Sequence, residues 1–272
     1  MFSGGGLRCF WQGGFMDVVR DEIGLAPARI ASVSGGALSA AGFLCRRGPL
    51  VYQVMTERFA EQDHNIAWHS FEEDGLTPHQ RLYRECVDAV IDADARREIA
   101  DGPPWDVLLG HPPADAMPTA SGTVAALAYE AELHTRNSPH ARAPSALGVT
   151  AKRVDGRAAA RDGRLTDLIC AAAIIPPVFE PMVWDGRPVV DGGLYDQAPM
   201  PEPDQGRTLV VLTRRYERLP DVTGREYVWP SEEAPIDKID FTDAQKLRRT
   251  WAQGEADGAT YLEARRSARG PV

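Results

Sequence analysis

Apolar positions recur along the chain with two spacings, which together predict helices alternating with short strands. Apolar residues three or four positions apart are typical of a helix with one buried face, and short unbroken apolar runs are typical of buried strands. Helices are predicted over 10–19, 37–46, 52–63, 78–100, 121–134 and 167–173, and after residue 242. Strands are predicted over 30–33, 146–151 and 208–213, with a strand or apolar turn at 105–110 and a hairpin around Asp185-Gly186. No repeat or linker interrupts this succession, so residues 1–272 are predicted to form one domain.

Two of the predicted helices carry more detailed expectations. The pattern over 78–100 is interpreted as one continuous helix. In the helix over 121–134, the side chains of Val124, Leu127 and Ala128 are expected to face the core. Both expectations rest on apolar spacing alone.

Two further segments are interpreted from their polar residues. The run Thr242-Asp243-Ala244-Gln245 has the spacing of a capping box, in which two side chains satisfy the free N–H groups of a first helical turn. It should start a final helix that buries Leu247, Trp251 and Leu262. The polar segment 65–77 is expected to be a lid over a cleft or a plain surface connection.

Length and charge narrow the class of protein. A chain of 272 residues can bury a sizeable core. The net charge of -9 argues against a protein that coats nucleic-acid phosphates, because such a protein needs clustered Lys and Arg. The longest apolar run covers 168–179, well short of the roughly 20 residues that cross a bilayer. These observations predict a globular domain with no nucleic-acid partner and no membrane span.

The cysteines and histidines are too scattered to suggest a metal site. Cys9, Cys45, Cys86 and Cys170 form no C-x-x-C pair, and no two histidines have the spacing of a helical metal site. Isolated thiols are typical of proteins in a reducing compartment, so we expect a cytoplasmic location. We expect no metal and no other cofactor.

Three consecutive glycines near the start of the chain form the first candidate site. Gly4, Gly5 and Gly6 leave their N–H groups uncovered, so an anion can approach several of them. The helix over 10–19 follows directly, and the positive end of its dipole adds to this preference. A dinucleotide-binding loop is the weaker alternative, because it needs a small residue where Cys9 stands. The strand expected before this loop is nearly absent: either the start of the chain is trimmed, or the strand is only two or three residues long.

A serine between small residues forms the second candidate site. Ser34 lies within Ser32-Val33-Ser34-Gly35-Gly36, between the strand over 30–33 and the helix over 37–46. A sharp strand-to-helix turn presents a nucleophilic serine only where the residues two positions away are very small. The usual pattern is G-x-S-x-G, and Ser32 takes the place of the first glycine. Alone, this segment also fits an ordinary turn of small residues.

The base that would activate such a serine is not an obvious histidine. The last histidine, His140, precedes the hairpin, and none follows it. Asp191 ends the second arm of the hairpin, and Gly192-Gly193 after it would allow a serine side chain to approach. A carboxylate has a pKa of about 3.9 and is a poor base in water, but burial raises that pKa. A dyad of Ser34 and Asp191 is reasonable in a dry cleft; the alternative is a turn aspartate satisfied by local N–H groups.

Three motifs in this order resemble the signatures of the patatin-like phospholipases. They are Gly4-Gly5-Gly6-Leu7-Arg8, Ser32-Val33-Ser34-Gly35-Gly36 and Asp191-Gly192-Gly193, and the segments 172–179 and 195–199 add to the resemblance. It covers roughly residues 1–199. It implies a three-layer α/β/α sandwich with a mostly parallel central sheet, and hydrolysis of acyl esters in lipids without a metal.

The resemblance also implies roles for particular residues. These are Ser34 as the nucleophile, Asp191 as the general base, and Gly4, Gly5, Gly6 and Gly35 as the oxyanion hole. Arg8 matches the basic residue of the glycine motif, which would steady the loop or bind a lipid phosphate. A lipid substrate further implies peripheral contact with a membrane, although the acidic charge balance argues against strong binding to anionic lipid.

Two residues depart from the motifs of that family. Ser32 replaces one small residue with another, and we expect the change to be tolerated. Cys9 replaces the glycine that ends the first motif, where a larger side chain can narrow the loop or shift its N–H groups. A catalytically silent protein that binds lipid or regulates a partner is therefore the alternative function.

Overall fold

A computed structural model describes residues 1–61 and 76–269. The segment 65–77, interpreted as a lid or a surface connection, lies outside these residues except for its last two positions. The α-helices of the described part are α1 (Phe10–Glu22), α2 (Gly36–Leu44), α3 (Gly48–Ala60), α4 (Pro78–Val90), α5 (Ala93–Asp101), α6 (Pro118–Arg136), α7 (Ala143–Ala146), α8 (Gly156–Arg161), α9 (Leu165–Ala172) and α10 (Ala244–Arg269). The strands are β1 (Ile30–Val33), β2 (Trp105–His111), β3 (Thr150–Asp155), β4 (Met182–Trp184), β5 (Arg187–Asp191), β6 (Thr208–Val211) and β7 (Arg225–Val228). The predicted α/β class is confirmed.

The central sheet is mixed, which corrects the expected mostly parallel arrangement. β1 pairs with β2 in parallel, whereas β2 pairs antiparallel with both β3 and β5, and β4 pairs antiparallel with β5. The predicted hairpin is one physical reason. Asp185 and Gly186 have φ of 47° and 81°, as in the tight turns that reverse a strand. Strand β5 therefore runs opposite to β4.

The first three residues link the two parallel strand pairs. Phe2 forms parallel bridges with Ser32 of β1 and with Val211 of β6, and β6 pairs in parallel with β7. In place of the strand expected before the glycine loop, the structure has this single bridging residue. Because these neighbouring strands run parallel, their carboxyl ends meet at one edge of the sheet. Both the glycine loop and Ser34 follow directly from that edge.

The segment predicted as one helix over 78–100 is two helices. Helix α4 ends at Val90, and Asp92 starts α5 by accepting hydrogen bonds from the N–H groups of Asp94 and Ala95, both at 2.9 Å. An aspartate at this position stabilises a new helix start, because its oxygen satisfies N–H groups that have no helical partner. The continuous apolar stripe concealed this boundary.

Two strand predictions also need correction. Residues 143–146 form α7, and the strand predicted over 146–151 begins only at Thr150 and extends to Asp155. Strand β7, Arg225–Val228, is not among the strands predicted from the sequence. Both strands present half-exposed side chains, so their apolar pattern is weak.

The face of α6 that meets the core is not the predicted one. Val124 is 56% exposed and Leu127 is 67% exposed, while Ala128 is half-buried. The buried residues of this helix are Gly122, Ala125, Tyr129 and Leu133. Small residues on that face allow close packing, since a Cβ at Gly122 would lie 3.1 Å from Pro176 Cγ. The prediction was wrong because the helix has two apolar faces, and spacing alone does not say which one fits a neighbour.

Helix α10 packs along α1 and carries the three predicted core residues. Leu247, Trp251 and Leu262 are all buried, as expected. The predicted capping box is not formed by Thr242, because Asp243 Oδ1 accepts the N–H of Lys246 at 2.8 Å. This helix therefore holds the chain beyond residue 240 against the helix that follows the glycine loop.

Candidate active site

Ser34 lies in a sharp turn between β1 and α2. Its φ is 56°, in the left-handed region that residues with a side chain rarely adopt, and its side chain is buried. Strained backbone of this kind is common at functional sites, where the surrounding structure holds it in place. The Ser34 hydroxyl donates a hydrogen bond to Asp191 Oδ2 at 2.5 Å. The structure thus joins two residues that are 157 positions apart in sequence.

The small residues around Ser34 have distinct physical reasons. A Cβ at Gly35 would lie 2.6 Å from the carbonyl oxygen of Gly6, so only glycine allows the glycine loop to approach the turn. The Ser32 hydroxyl accepts a hydrogen bond from Trp105 Nε1 at 2.8 Å. This departure from the family motif therefore gives the buried indole N–H a partner and ties β1 to β2.

Asp191 is held by its backbone and its side chain. It ends β5 in register with Leu109 of β2, and its N–H donates to the carbonyl oxygen of Ile174 at 2.6 Å. Its Oδ1 accepts the N–H of Gly193 at 2.7 Å, which leaves Oδ2 to Ser34. The carboxylate thus accepts hydrogen bonds both from a local N–H group and from Ser34. The two arrangements suggested by the sequence, a turn aspartate and a partner of the serine, occur together.

Burial governs the acidity of Asp191. Its side chain is 3% exposed, and loss of solvent raises the pKa of the carboxyl group to about 6. Hydrogen bonds from Ser34 and Gly193 and the positive charge of Lys238 lower that pKa, but by less than burial raises it. At neutral pH the group is mostly ionised and is a stronger base than an exposed aspartate. Such a carboxylate can accept a hydroxyl proton.

The glycine loop presents free N–H groups beside Ser34. Gly5 has a φ of 154° and Gly6 a φ of 57°, and both conformations disfavour a side chain. The N–H of Gly4 donates to the carbonyl oxygen of Gln197 at 3.2 Å, so it is not available to a ligand. No hydrogen bond within the described residues uses the N–H groups of Gly5, Gly6 or Gly35. Of the four N–H groups expected from the sequence to bind an oxyanion, three are therefore free to bind a ligand.

Cys9 fills space behind the loop. Its Sγ lies 3.6 Å from the carbonyl oxygen of Ser3, and a Cβ added to Gly35 would be 3.1 Å from that sulfur. Burial raises the pKa of the Cys9 thiol well above its ordinary value, so the group stays uncharged. The sulfur packs against the turn at Gly35. Within the described residues it accepts no hydrogen bond from an N–H group of the glycine loop.

Arg8 binds groups of the segment 233–236. Its Nη2 lies 3.0 Å from Glu233 Oε1, and its Nε donates to the carbonyl oxygen of Ile236 at 3.4 Å. The side chain of Arg8 does not line the apolar cavity beside Ser34. Of the two roles suggested by the sequence, these contacts favour steadying the loop over binding a lipid phosphate.

An apolar cavity of about 190 Å³ lies beside Ser34. Its apolar lining includes Met16, Leu38, Phe43, Met55, Ile175 and Phe179. Ser34 and Phe43 stand near opposite ends of α2, so the cavity follows that helix for roughly 13 Å at about 1.5 Å per residue. An apolar space of this length suits a hydrocarbon chain.

No group of three or more His, Cys, Asp or Glu side chains in the described residues could hold a metal ion. The helices of residues 1–61 and 76–269 include none that is long and apolar enough to cross a membrane.

A comparison with protein-family models matches residues 1–204 to the Patatin model, described as patatin-like phospholipase. The chain belongs to this family. The match includes the turn at Ser34, the glycine loop and Asp191. Membership of the patatin-like family indicates hydrolysis of lipid acyl esters as the class of activity. A search of curated protein sequences finds no match.

Residues beyond the patatin-like match complete the surroundings of the glycine loop. The Thr213 hydroxyl donates to the carbonyl oxygen of Gly4 at 2.7 Å. The carbonyl oxygen of Lys238 accepts the N–H of Leu7 at 3.0 Å. The ammonium group of the Lys238 side chain lies 2.6 Å from Glu130 Oε1. Thr213 and Lys238, both beyond the matched residues, therefore help to hold the glycine loop in place.

Three residues of the site were missed in the sequence. Tyr83 and Lys238 line the cavity, and Thr213 holds Gly4. Tyr83 lies in a regular helical pattern, and Lys238 lies in a polar stretch with no periodicity, so neither carries a local signal. Only the fold brings them to the turn at Ser34.

Proposed function

We propose that the chain is a serine acyl-ester hydrolase that acts through Ser34 and Asp191. The observation that carries the proposal is the 2.5 Å hydrogen bond from the Ser34 hydroxyl to Asp191 Oδ2 in a buried, strained turn. An apolar cavity and three free N–H groups lie around the same hydroxyl. This set supplies a nucleophile, a base, an oxyanion site and a place for an acyl chain.

The proposed reaction needs only these groups and water. Asp191 takes the proton of Ser34 as its Oγ attacks the ester carbonyl carbon, and the N–H groups of Gly5, Gly6 and Gly35 bind the oxyanion. The carbon–oxygen bond of the ester then breaks, and the alcohol leaves with the proton held by Asp191. Water attacks the acyl-serine in the same way and releases the fatty acid. Asp191 returns to its ionised form.

The cavity supports a lipid acyl chain as the group bound next to Ser34. We propose phospholipids or other acyl lipids as substrates, consistent with membership of the patatin-like family. The test is turnover of fluorogenic esters and of a phospholipid by the purified full chain. Esters with chains long enough to fill the cavity should have a higher kcat/KM than acetyl esters, because each buried methylene adds about 0.8 kcal/mol of binding.

The alternative is a catalytically silent lipid-binding or regulatory protein, suggested by the departures at Cys9 and Ser32. Lipid binding without any ester turnover would favour it. The structure accounts for Ser32 through its bond with Trp105 and leaves the N–H groups of the loop uncovered by Cys9. These contacts support the hydrolase proposal over the silent alternative.

The rate of ester hydrolysis should depend on the ionisation of Asp191. The pKa of this group is raised to about 6 by burial, and only the ionised form can accept the serine proton. We therefore expect kcat/KM to rise about tenfold per pH unit below pH 6 and to level off above it. The measurement is kcat/KM for an uncharged acyl ester from pH 4.5 to 8.5.

A flat profile between pH 5 and 7 would contradict this assignment of the base.

The raised pKa of Asp191 also affects the free energy of unfolding. Because the pKa in the folded state lies above the unfolded value, ionisation of Asp191 lowers the free energy of unfolding as pH rises from about 4 to 6. The loss of rate at low pH should therefore occur without a matching loss of stability from this group.

We further propose that α6 contacts a lipid surface. Its outer face carries a stripe of exposed apolar residues spaced three or four apart: Met117, Ala120, Val124, Leu127 and Ala131. Lys238 joins this helix to the cavity, since it lies against Tyr129 and Glu130 and also lines the cavity. The stripe has no Lys or Arg, which with the net charge of -9 favours uncharged or zwitterionic lipid.

The substitution Leu127→Asp should weaken binding to phosphatidylcholine vesicles about tenfold, because Leu127 is 67% exposed and would lose its burial in lipid. Vesicle flotation measures the effect, and Val222→Asp, at an exposed apolar residue outside this stripe, is the matched control. Equal flotation of both variants and the wild type would rule the α6 face out. A dimer that Leu127→Asp dissociates would assign the face to a second copy of the chain.

The proposal also covers the number of domains, the arrangement of layers and the location in the cell. We propose that residues 1–272 form one domain, supported by the packing of α10 along α1. We propose a layered α/β/α arrangement for the patatin-like part, supported by the family match. The four cysteines are all free and buried, which supports a reducing, cytoplasmic location.

A further inference from the structure

One buried polar group in the cavity has no role in the reaction described above. The side chain of Tyr83 is 6% exposed and lines the same cavity as Ser34. Its hydroxyl has no hydrogen-bond partner within the described residues. Buried hydroxyls in native proteins are nearly always paired, so an unpaired one on a side chain that lines a cavity points to a ligand.

The position of Tyr83 is fixed by its helix. One turn earlier in α4, the Gln80 side chain donates to the carbonyl oxygen of Glu180 at 2.8 Å and accepts the N–H of Glu180 at 3.0 Å. This pair of bonds ties α4 to the segment that supplies Phe179 to the cavity wall. The rings of Tyr83 and Phe179 lie 6.2 Å apart between centroids. The hydroxyl is therefore held in place without a bond of its own.

The surroundings of Tyr83 make its hydroxyl a lasting donor. Burial, together with the nearby Cys170, Cys9, Cys86 and Asp191, raises the pKa of Tyr83 well above its ordinary value. The hydroxyl thus keeps its proton at any pH at which the protein is active. Tyr83, Cys9 and Ser34 line the same cavity, which places the Tyr83 side chain in the wall of the proposed reaction centre.

An acyl ester offers few polar atoms to this hydroxyl. The hydrocarbon chain has none, and the carbonyl oxygen is assigned to the N–H groups of Gly5, Gly6 and Gly35. The remaining atom is the ester oxygen, which gains negative charge as its bond to the carbonyl carbon breaks. In a dry cavity that charge needs a nearby donor.

We propose that the Tyr83 hydroxyl donates a hydrogen bond to the ester oxygen of the bound substrate and so stabilises the leaving alcohol. The inference rests on the proposed hydrolase function. Tyr83 keeps its proton throughout: the bond from Ser34 Oγ to the carbonyl carbon forms, the ester carbon–oxygen bond breaks, and the proton that completes the alcohol comes from Asp191. The partner of Tyr83 is thus an oxygen ester and not a thioester, because sulfur is a weak acceptor.

The test compares Tyr83→Phe with the wild type on an acyl oxygen ester and on the thioester with the same acyl chain and leaving group. We expect kcat/KM for the oxygen ester to fall about tenfold, the effect of one neutral hydrogen bond. For the thioester we expect a change of less than about twofold. A fall on neither substrate, or an equal fall on both, would overturn the proposal for Tyr83.

Two controls keep the outcome specific. Phenylalanine keeps the ring packing, and the lost hydroxyl has no partner in the described residues, so the melting temperature should not fall. Tyr227→Phe, in β7 and away from the cavity lining, should leave both rates unchanged. Absence of turnover by the wild type on either substrate would instead refute the hydrolase function itself, which distinguishes that failure from a failure of the Tyr83 proposal alone.

Discussion

Replacing Ser34 with alanine or Asp191 with asparagine should lower acyl-ester turnover at least about a thousandfold. The first change removes the only nucleophile in the proposed mechanism, and the second leaves a side chain that cannot accept a proton. Ser34 Oγ and Asp191 Oδ2 share one hydrogen bond of 2.5 Å, and the proposed mechanism requires both residues in the same step. The double variant should therefore be scarcely slower than either single one.

Matched substitutions separate this loss from unfolding. Ser145→Ala changes an exposed serine in α7, and Asp185→Asn changes the exposed aspartate of the hairpin that leads to Asp191. Both should retain turnover within about twofold of the wild type. Asp191→Asn should melt at the same temperature as the wild type or higher at pH 7.5, because it removes a buried charge. Undiminished turnover in the Ser34 and Asp191 variants would refute the dyad.

The second large effect is expected in the glycine loop. In Gly6→Ala the new Cβ would lie 2.2 Å from the carbonyl oxygen of Lys238, at a φ of 57° that already disfavours a side chain. The loop must shift, and its free N–H groups shift with it. Loss of one oxyanion donor costs about 3 kcal/mol of transition-state stabilisation, so kcat should fall at least about a hundredfold.

Gly24→Ala is the control for backbone strain in this comparison. Gly24 has nearly the same φ, 60°, and a Cβ there would meet nothing within 4 Å. Both variants should lose about 1 kcal/mol of unfolding free energy from the left-handed conformation, with a further loss in Gly6→Ala from the clash. Only Gly6→Ala should lose activity. A folded Gly6→Ala protein with wild-type kcat would show that the loop is not the oxyanion site.

Local signals in the sequence were sufficient for the elements that carry the site. The strand at 30–33, the helix after Gly36 and the hairpin at Asp185 each have a short-range cause: an apolar run, small residues, or a pair that adopts positive φ. The residues alone left Asp191 as either a base or a turn aspartate, and only the resemblance to the patatin-like motifs favoured its pairing with Ser34. In the structure the hairpin brings Asp191 within hydrogen-bond distance of that serine.

Other features depend on tertiary packing and could not be predicted. The sheet is mixed because β2 pairs with both β3 and β5, and no short segment encodes the choice of partner. The inward face of α6 is set by the fit of Gly122 against Pro176. Tyr83 and Lys238 reach the cavity from elements with no motif. The amide of Gly4 is excluded as a donor only by its bond to the carbonyl oxygen of Gln197.

The most direct measurement of the central claim is covalent labelling with a fluorophosphonate probe, followed by peptide mapping in a mass spectrometer. Only a serine activated by a base reacts readily with such a probe. The wild type should be labelled on Ser34 at pH 7.5, with labelling lost in Asp191→Asn and retained in Asp185→Asn. Labelling of another serine, or no labelling of a folded wild type, would contradict the proposal that Ser34 and Asp191 form the reaction centre.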